Sequence, residues 1–550
     1  MTWKIMPRHV WVLAASSVLM PLAPASALVS ISDAPTQNVS CVSGVCTPTA
    51  QRANLNTTDL AGMLASSSVT LNSGASALDI NIASAFSWTS ANTLTLDAAR
   101  NVQFKAQVTA AGPGGVTILT NDGGSGGDLR FTPDGALNFW DLSSSLTVNG
   151  DAYTLVDTLP SLISAIHADR GGFFALTKDY NAFKVRVFSS SPISSFAGKL
   201  EGLGHTISNL AVTAEKQRRR PYFTGMIGTS TGTIRDIGLK NEAVESLFYA
   251  GGLVGENDGT IDGVHTTGSV TTDSNYSVYY STGGIVSYNT GTVENSWSSA
   301  AVNSPYAGGG LVGYNSGAVA NSYANGPVAN DYFYSYSQGG GGGLVGYNSA
   351  SGTITRSYAQ GAVSGFDPVG GLVGENLGTV TLSHSSGTAS GNAAGGFVGS
   401  NGGTISFSYS SGDAGGSISG GFAGLGGAFF ACYATGASNT GGFVGEYSGG
   451  GIAQAYSTGT LQGSYYDVGG FVGIDGKPGT LTSVYWDTDL SGILNLGEGA
   501  GNIPFDAGIE GLSTAQMQGH LPPGFDPGMW ARKAGVNNGL PYLRANPPAR

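Results

Sequence analysis

The chain has 550 residues, of which 89 are glycine, about 16% against an average near 7%, and only 11% are charged where about 25% is usual. Glycines spread this evenly exclude long helices, because each interior glycine costs a helix about 1 kcal/mol relative to alanine, and 41% hydrophobic residues exclude a chain that stays solvated and unfolded. A net charge of −12 repels phosphate backbones and excludes nucleic acid as a partner, the basic run Lys216, Arg218, Arg219 and Arg220 being read as a solvated loop.

From the N-terminus, Lys4 and Arg8 precede an apolar run from Val10 to Leu22, and Ala25, Ser26 and Ala27 follow it. This is the pattern of a cleaved secretory signal over residues 1–27. Met20, Pro21 and Pro24 keep the run short of a membrane span, and no later stretch approaches 18 apolar residues, so no transmembrane segment is expected in the mature chain. Residues 28–47 read as a polar leader, where Cys41 and Cys46, five apart and exported to an oxidising compartment, are expected to form a local disulfide. Across residues 48–150, short runs at 69–71, 78–82, 94–97, 102–104 and 116–118 alternate apolar and polar residues at period two and read as coils. The phrase from Asn92 to Val102 resembles the β-helical shaft of filamentous-haemagglutinin proteins. Residues 151–222 read as a connecting segment with one short helix, where Leu159 and Pro160 open the run Leu162, Ile163 and Ile166.

Residues 223–483 repeat. GGLVG occurs at Gly251, Gly309, Gly342 and Gly370 and GGFVG at Gly395, Gly441 and Gly469, with degenerate copies at Thr224, Gly283 and Gly420, giving ten units at intervals of 21 to 33 residues. After the motif each unit carries an Asn turn, then commonly Gly-Thr-Ile or Gly-Thr-Val, then Ser-Tyr. Such short β-prone runs cannot make a sheet alone, and each needs a copy of itself about 4.8 Å above and below. The expected fold is therefore all-β, a right-handed parallel β-solenoid (β-helix) of stacked Gly-rich repeats, with a small mixed C-terminal cap over residues 484–550. Stacking implies columns. Asn257, Asn289, Asn315, Asn348, Asn376 and Asn401 form one, a structural amide ladder. His265, Trp297, Tyr323, Tyr358, His384, Tyr409, Tyr433, Tyr456 and Tyr485 form another, and Cys432 stands in the small-residue position before it, as a buried column residue and not a nucleophile.

The repeats resemble the GLUG motif of secreted and surface proteins of Gram-negative bacteria. The segment from Phe196 to Leu210 resembles the one that introduces such arrays, and the stretches Tyr485 to Gly492, Gly511 to Met517 and Gly539 to Arg544 are similar to the family's close. The resemblance implies a filamentous-haemagglutinin-like adhesin, and the motif itself carries no assigned chemistry. With no Asn-Pro-Asn motif of two-partner exoproteins and no barrel pattern, the route beyond the periplasm is left open, a separate outer-membrane export partner being one candidate. The expected location is secreted or cell-surface, with the periplasm as the other compartment open to an exported chain.

No acid, base and nucleophile converge in the sequence, and His167, His205 and His520 lack metal-ligand spacing, so no catalytic residue, metal or cofactor is expected and the chain reads as non-enzymatic. The alternative is a carbohydrate-active β-helix enzyme, a polysaccharide lyase or glycosidase, which needs carboxylates close together on neighbouring coils. Asp262 and Glu294 are the best such pair, and the bland reading makes them solvated coil surface. Binding has better support. Tyr288, Tyr314 and Tyr347 are equivalent in three consecutive units, and inserted loops carry Tyr276, Tyr279, Tyr280, Tyr306, Tyr332 and Tyr334. Tyr288, Tyr314, Tyr347, Tyr332 and Tyr334 are therefore the expected binding set, for host or matrix glycans or proteins, with packing of the loops on the coils as the competing role.

Overall fold

Each repeat folds as one coil because its paired glycines make a corner that no side chain could occupy. A Cβ on Gly309 would lie 1.9 Å from the Val312 carbonyl oxygen, and one on Gly310 would lie 2.2 Å from the Gly343 carbonyl oxygen of the next coil. The two apolar residues that follow, Leu311 and Val312, are both fully buried in the core. Each contributes about 1.5–3 kcal/mol by leaving water. The GGLVG motif is thus a turn between two sheets plus the core of its own coil.

The structure is a computed structural model that describes residues 27–124, 126–214, 222–273, 280–330, 340–366, 368–463 and 467–548. The expected signal segment up to residue 26, the basic run at 216–220 and Tyr276, Tyr279, Tyr332 and Tyr334 lie outside the described residues. The chain is a parallel β-solenoid of about 18 turns, 48% strand and 6% helix. One face is an eleven-stranded sheet running from Ile193–Phe196 through Val254–Asn257 and Val312–Asn315 to Val472–Asp475. A second face has eight short strands, from Phe223–Thr224 to Ile418–Gly420. The third face carries strands such as Thr260–Asp262 and Thr292–Glu294. Register is in phase from coil to coil, so Asn257, Asn289, Asn315, Asn348, Asn376 and Asn401 are successive partners. Each of the first five donates its side-chain amide to the next at 2.7–2.8 Å.

The coils begin earlier than the repeat does. Phe173–Leu176 pairs with Lys199–Glu201, which pairs with Thr233–Arg235, and Ile193–Phe196 pairs with Ile227–Ser230. The described part of the expected connecting segment 151–222 therefore supplies rungs of the same sheets between residues 173 and 214, and Leu481–Asp487 with Ile509–Leu512 extends the stack past residue 483. Upstream, Leu28–Ser32 lies between Arg52–Asn56 and Asp79–Ile82, so the expected leader contains the first coil. Cys41 and Cys46 are disulfide-bonded across the antiparallel hairpin of Val39–Val42 and Val45–Pro48. A helix not expected from the sequence, α1 (Thr57–Ser66), is capped by the Asn56 side chain, which accepts from the Thr58 and Asp59 amides, and it buries Leu60 and Leu64. The expected short helix is α2 (Leu159–Ala168), with Pro160 in its first turn and a capping box between Thr158 and Ser161. At the far end, α3 (Thr514–Gly519) and the segment after it pack Met517, Phe525, Trp530, Leu540 and Leu543 against Tyr409, Tyr433, Tyr456 and Tyr485.

Candidate functional site

In-phase stacking puts side chains of one column about one strand spacing apart, and on the eleven-stranded face one column reads Glu256, Tyr288, Tyr314, Tyr347, Glu375. The Tyr288 and Tyr314 rings stack at 4.5 Å and 6°, and Tyr314 and Tyr347 at 5.0 Å and 15°. The rings cover one another's faces and present edges and hydroxyls outward. Tyr249 and Tyr280 meet edge to face at 5.2 Å beside them. Together these five tyrosines, with Ser281 and Ala307, line a cleft of about 140 Å³. Burial raises the Tyr288 pKa, reinforced by the neighbouring Tyr314, and burial with the charge of Glu375 raises that of Tyr347. Tyr288 and Tyr347 are therefore neutral hydroxyls at pH 7, able both to donate and to accept.

The structure brings Tyr288, Tyr314 and Tyr347 together, but it divides their roles. Tyr288 and Tyr314 keep open edges, whereas Tyr347 is only 6% exposed. Of the insertion aromatics that are described, Tyr280 and Tyr306 are buried and serve packing. Tyr249, two residues before the GGLVG motif of its unit, lies outside the columns the sequence alignment of the repeats picked out and was missed for that reason.

The second candidate, Asp262 with Glu294, sits in a different setting. Glu201, Arg235, Asp262 and Glu294 are register partners in four successive coils. Arg235 Nη2 lies 2.6 Å from Asp128 Oδ1, 3.1 Å from Asp262 Oδ2 and 3.9 Å from Asp236 Oδ2. Burial pushes the Glu201 carboxyl up to about 7 against the pull of Arg235, and burial followed by the charge of Glu201 raises Asp236 well above the usual range. Asp262 is a correction to the sequence reading. It is not solvated coil surface but 8% exposed, with its second oxygen accepting from Asn295 Nδ2 at 2.7 Å. The reason is that the N-terminal coils carry Asp128 onto the same guanidinium across 107 residues of chain. Both Asp262 oxygens are thereby engaged, and the cluster ties the shaft to the array.

Three further residues fall into place as parts of the fold. His205 is buried with Nε2 2.9 Å from the Leu137 carbonyl oxygen. Cys432 is fully buried in register with Ser408, and burial pushes its thiol up to about 12. Asp487 accepts from the Asp489 and Leu490 amides and from Thr514 Oγ1. Among the described residues no group of three or more His, Cys, Asp or Glu is arranged to hold a metal ion, and no helix is long and apolar enough to cross a membrane.

No family model matches the chain. A stretch of 145 residues, 26% of the chain, is 29% identical to halomucin of Haloquadratum walsbyi and spans 1% of that protein. The chain thus covers a very small part of that relative's length. Among solved structures, an IgA1 protease is similar with a TM-score of 0.32 and 16% identity, over 51% of this chain and 21% of that one. A Bacteroides ovatus protein provisionally named as an immunoglobulin A1 protease is similar with a TM-score of 0.32 and 15% identity, over 72% of this chain and 93% of that one. At this level of similarity neither structure assigns a role to the chain.

Proposed function

We propose that the chain is an extracellular β-solenoid of the GLUG, filamentous-haemagglutinin-like kind that acts without catalysis, as an adhesin or structural binding protein of the cell surface. The observation that carries the reading is the Tyr288, Tyr314 and Tyr347 stack walling a narrow cleft on one face of a rigid rod. A cleft of about 140 Å³ is below the roughly 300 Å³ at which small-molecule pockets begin. It fits a group projecting from a long ligand, a glycan chain or a matrix protein, whose remainder lies along the coils. Stacked tyrosines are already ordered, so contact costs them little side-chain entropy. The Cys41–Cys46 disulfide supports export to an oxidising compartment, and a cleaved signal and a separate outer-membrane partner remain the route this reading uses. Engagement of both Asp262 oxygens supports the non-enzymatic reading over a glycosidase, which needs one free carboxylate and one carboxylic acid.

The test is a glycan and matrix-protein array probed with the mature chain. The reading expects retention of at least one polymeric ligand and none of the matching free monosaccharide. Retention of no ligand, or turnover of a retained polysaccharide into shorter products, would overturn it.

A further inference from the structure

Charge around the tyrosine cleft has one sign. Between Lys240 and Lys477 the chain carries 14 acidic residues and a single basic one, Arg356, which follows the strand Thr353–Thr355 on the third face. On the eleven-stranded face, the outward column that holds the stack runs from Ser195 to Ile474 without a lysine or an arginine. Glu256 stands one rung before Tyr288 and Glu375 one rung after Tyr347, so a carboxylate closes each end of the stack. Both act on the walls of the cleft. Burial raises the Tyr249 pKa with the charge of Glu256 adding to it, and the charge of Glu375 acts on Tyr347 in the same way. Asp258, which accepts from Thr290 Oγ1, adds a third negative charge two residues on from Glu256.

The shape of the site selects among cationic ligands. The rings of Tyr288, Tyr314 and Tyr347 cover one another, so no run of open ring faces is left for sugar rings to stack on, and what remains is edges and hydroxyls. A cleft of about 140 Å³ walled by Tyr249, Tyr280 and Ala307 suits a slim apolar stem with a charged tip. Lysine has that form, burying its methylenes along apolar surface while the ammonium stays at a polar rim. The spacing of the two carboxylates fits a polypeptide. Glu256 and Glu375 are four rungs apart, about 19 Å at one strand spacing per rung. Six residues of extended chain span about 20 Å, and residues six apart point to the same side.

We propose that the cleft docks an extended basic segment of a partner protein, with lysines six residues apart paired to Glu256 and Glu375 and the chain between them crossing the edges of Tyr288 and Tyr314. This rests on the reading of the cleft as a binding face and narrows its ligand to a cationic protein segment.

The probe is an end-blocked threonine-serine peptide carrying two lysines six residues apart, titrated into the mature chain by calorimetry at low ionic strength, beside the same peptide with glutamate in place of lysine. Saturable binding of the lysine peptide alone is expected, weakening as salt screens the pairs. Glu256→Gln with Glu375→Gln keeps the shape of the site, removes both charges and should weaken binding about tenfold. Glu446→Gln, in the same column but three rungs beyond Glu375, should leave it unchanged. Absence of saturable binding, or a double variant within twofold of the parent, overturns the proposal. So does an equal loss in Glu446→Gln, which would mark diffuse attraction to an acidic surface. If the lysine peptide fails while a glycan is retained and then lost in Tyr288→Ala with Tyr314→Ala, this inference alone falls and the glycan is the occupant. If neither the peptide nor any polymeric ligand is retained, the reading of the cleft falls with it.

Discussion

Asn315→Ala removes one rung from the middle of the amide ladder. Its side chain is fully buried, accepts from Asn289 Nδ2 at 2.8 Å and donates to Asn348 Oδ1 at 2.8 Å. Each lost bond is worth about 1 kcal/mol net, and a buried partner left unpaired costs about 1–3 kcal/mol more. Asn289 Nδ2 keeps a second acceptor in the Gly291 carbonyl at 3.2 Å, so the full orphan cost falls on Asn348 Oδ1 alone. The expected loss is about 3–5 kcal/mol. A stacked array opens locally before it unfolds as a whole, so the assay is hydrogen exchange by mass spectrometry across residues 312–318, compared with Ser364→Ala. Ser364 is exposed on its strand and its loss should stay within about 0.5 kcal/mol. At about 1.4 kcal/mol per decade, exchange in the Asn315→Ala coil should accelerate by about a hundredfold or more. Acceleration below threefold would refute the claim that the ladder holds the coils in register.

Three other outcomes follow from buried groups. Glu242 is carried into the core by a register shift between Leu239 and Glu242, neither carboxylate oxygen has a hydrogen-bond partner among the described residues, and burial raises its pKa well above the usual value. The folded state then holds a proton that the unfolded state releases, so stability is greatest below the ordinary carboxylate range and falls as pH rises above about 4.5. Glu242→Gln should melt higher than the parent at pH 8 and show a flatter decline between pH 5 and 8, and an unchanged slope would contradict this. Arg235→Met strips the cation from Asp128, Asp262 and Asp236 and should cost about 3–5 kcal/mol at pH 8, less at pH 5 where Glu201 is protonated, as read by thermal melts. Cys432→Ser restores the residue found at Ser408 in the preceding coil and should leave the melt within about 1 kcal/mol, and the native thiol should resist a disulfide reagent until the protein is denatured.

What could be read from the sequence divides along a physical line. In a solenoid, equal spacing in the chain becomes equal position in space, so the Asn257 to Asn401 column and the His265 to Tyr456 column were visible as soon as the repeats were aligned. Contacts that break the period were not. Asp128 reaches Arg235 from coils of a different texture, and nothing in the repeat announces it. Glu242 enters the core through a bulge, which shifts side chains to the opposite face without changing composition. The coils formed by residues 173–214 lack the GGLVG corner yet pair in the same sheets, because pairing needs only β-prone runs at the right height. Helix α1 carried a signal that the sequence reading did not use, Asn56 followed by Leu60 and Leu64 at helical spacing.

The central claim is that Tyr288 and Tyr314 form a binding face and do more than pack. Its most direct test is the affinity of the strongest array ligand for the parent and for Tyr288→Ala with Tyr314→Ala, measured by surface plasmon resonance on chains whose circular dichroism shows the rod intact. The account predicts a Kd raised tenfold or more in the double variant. An intact variant that binds with the parent's affinity would contradict it and return these tyrosines to a packing role.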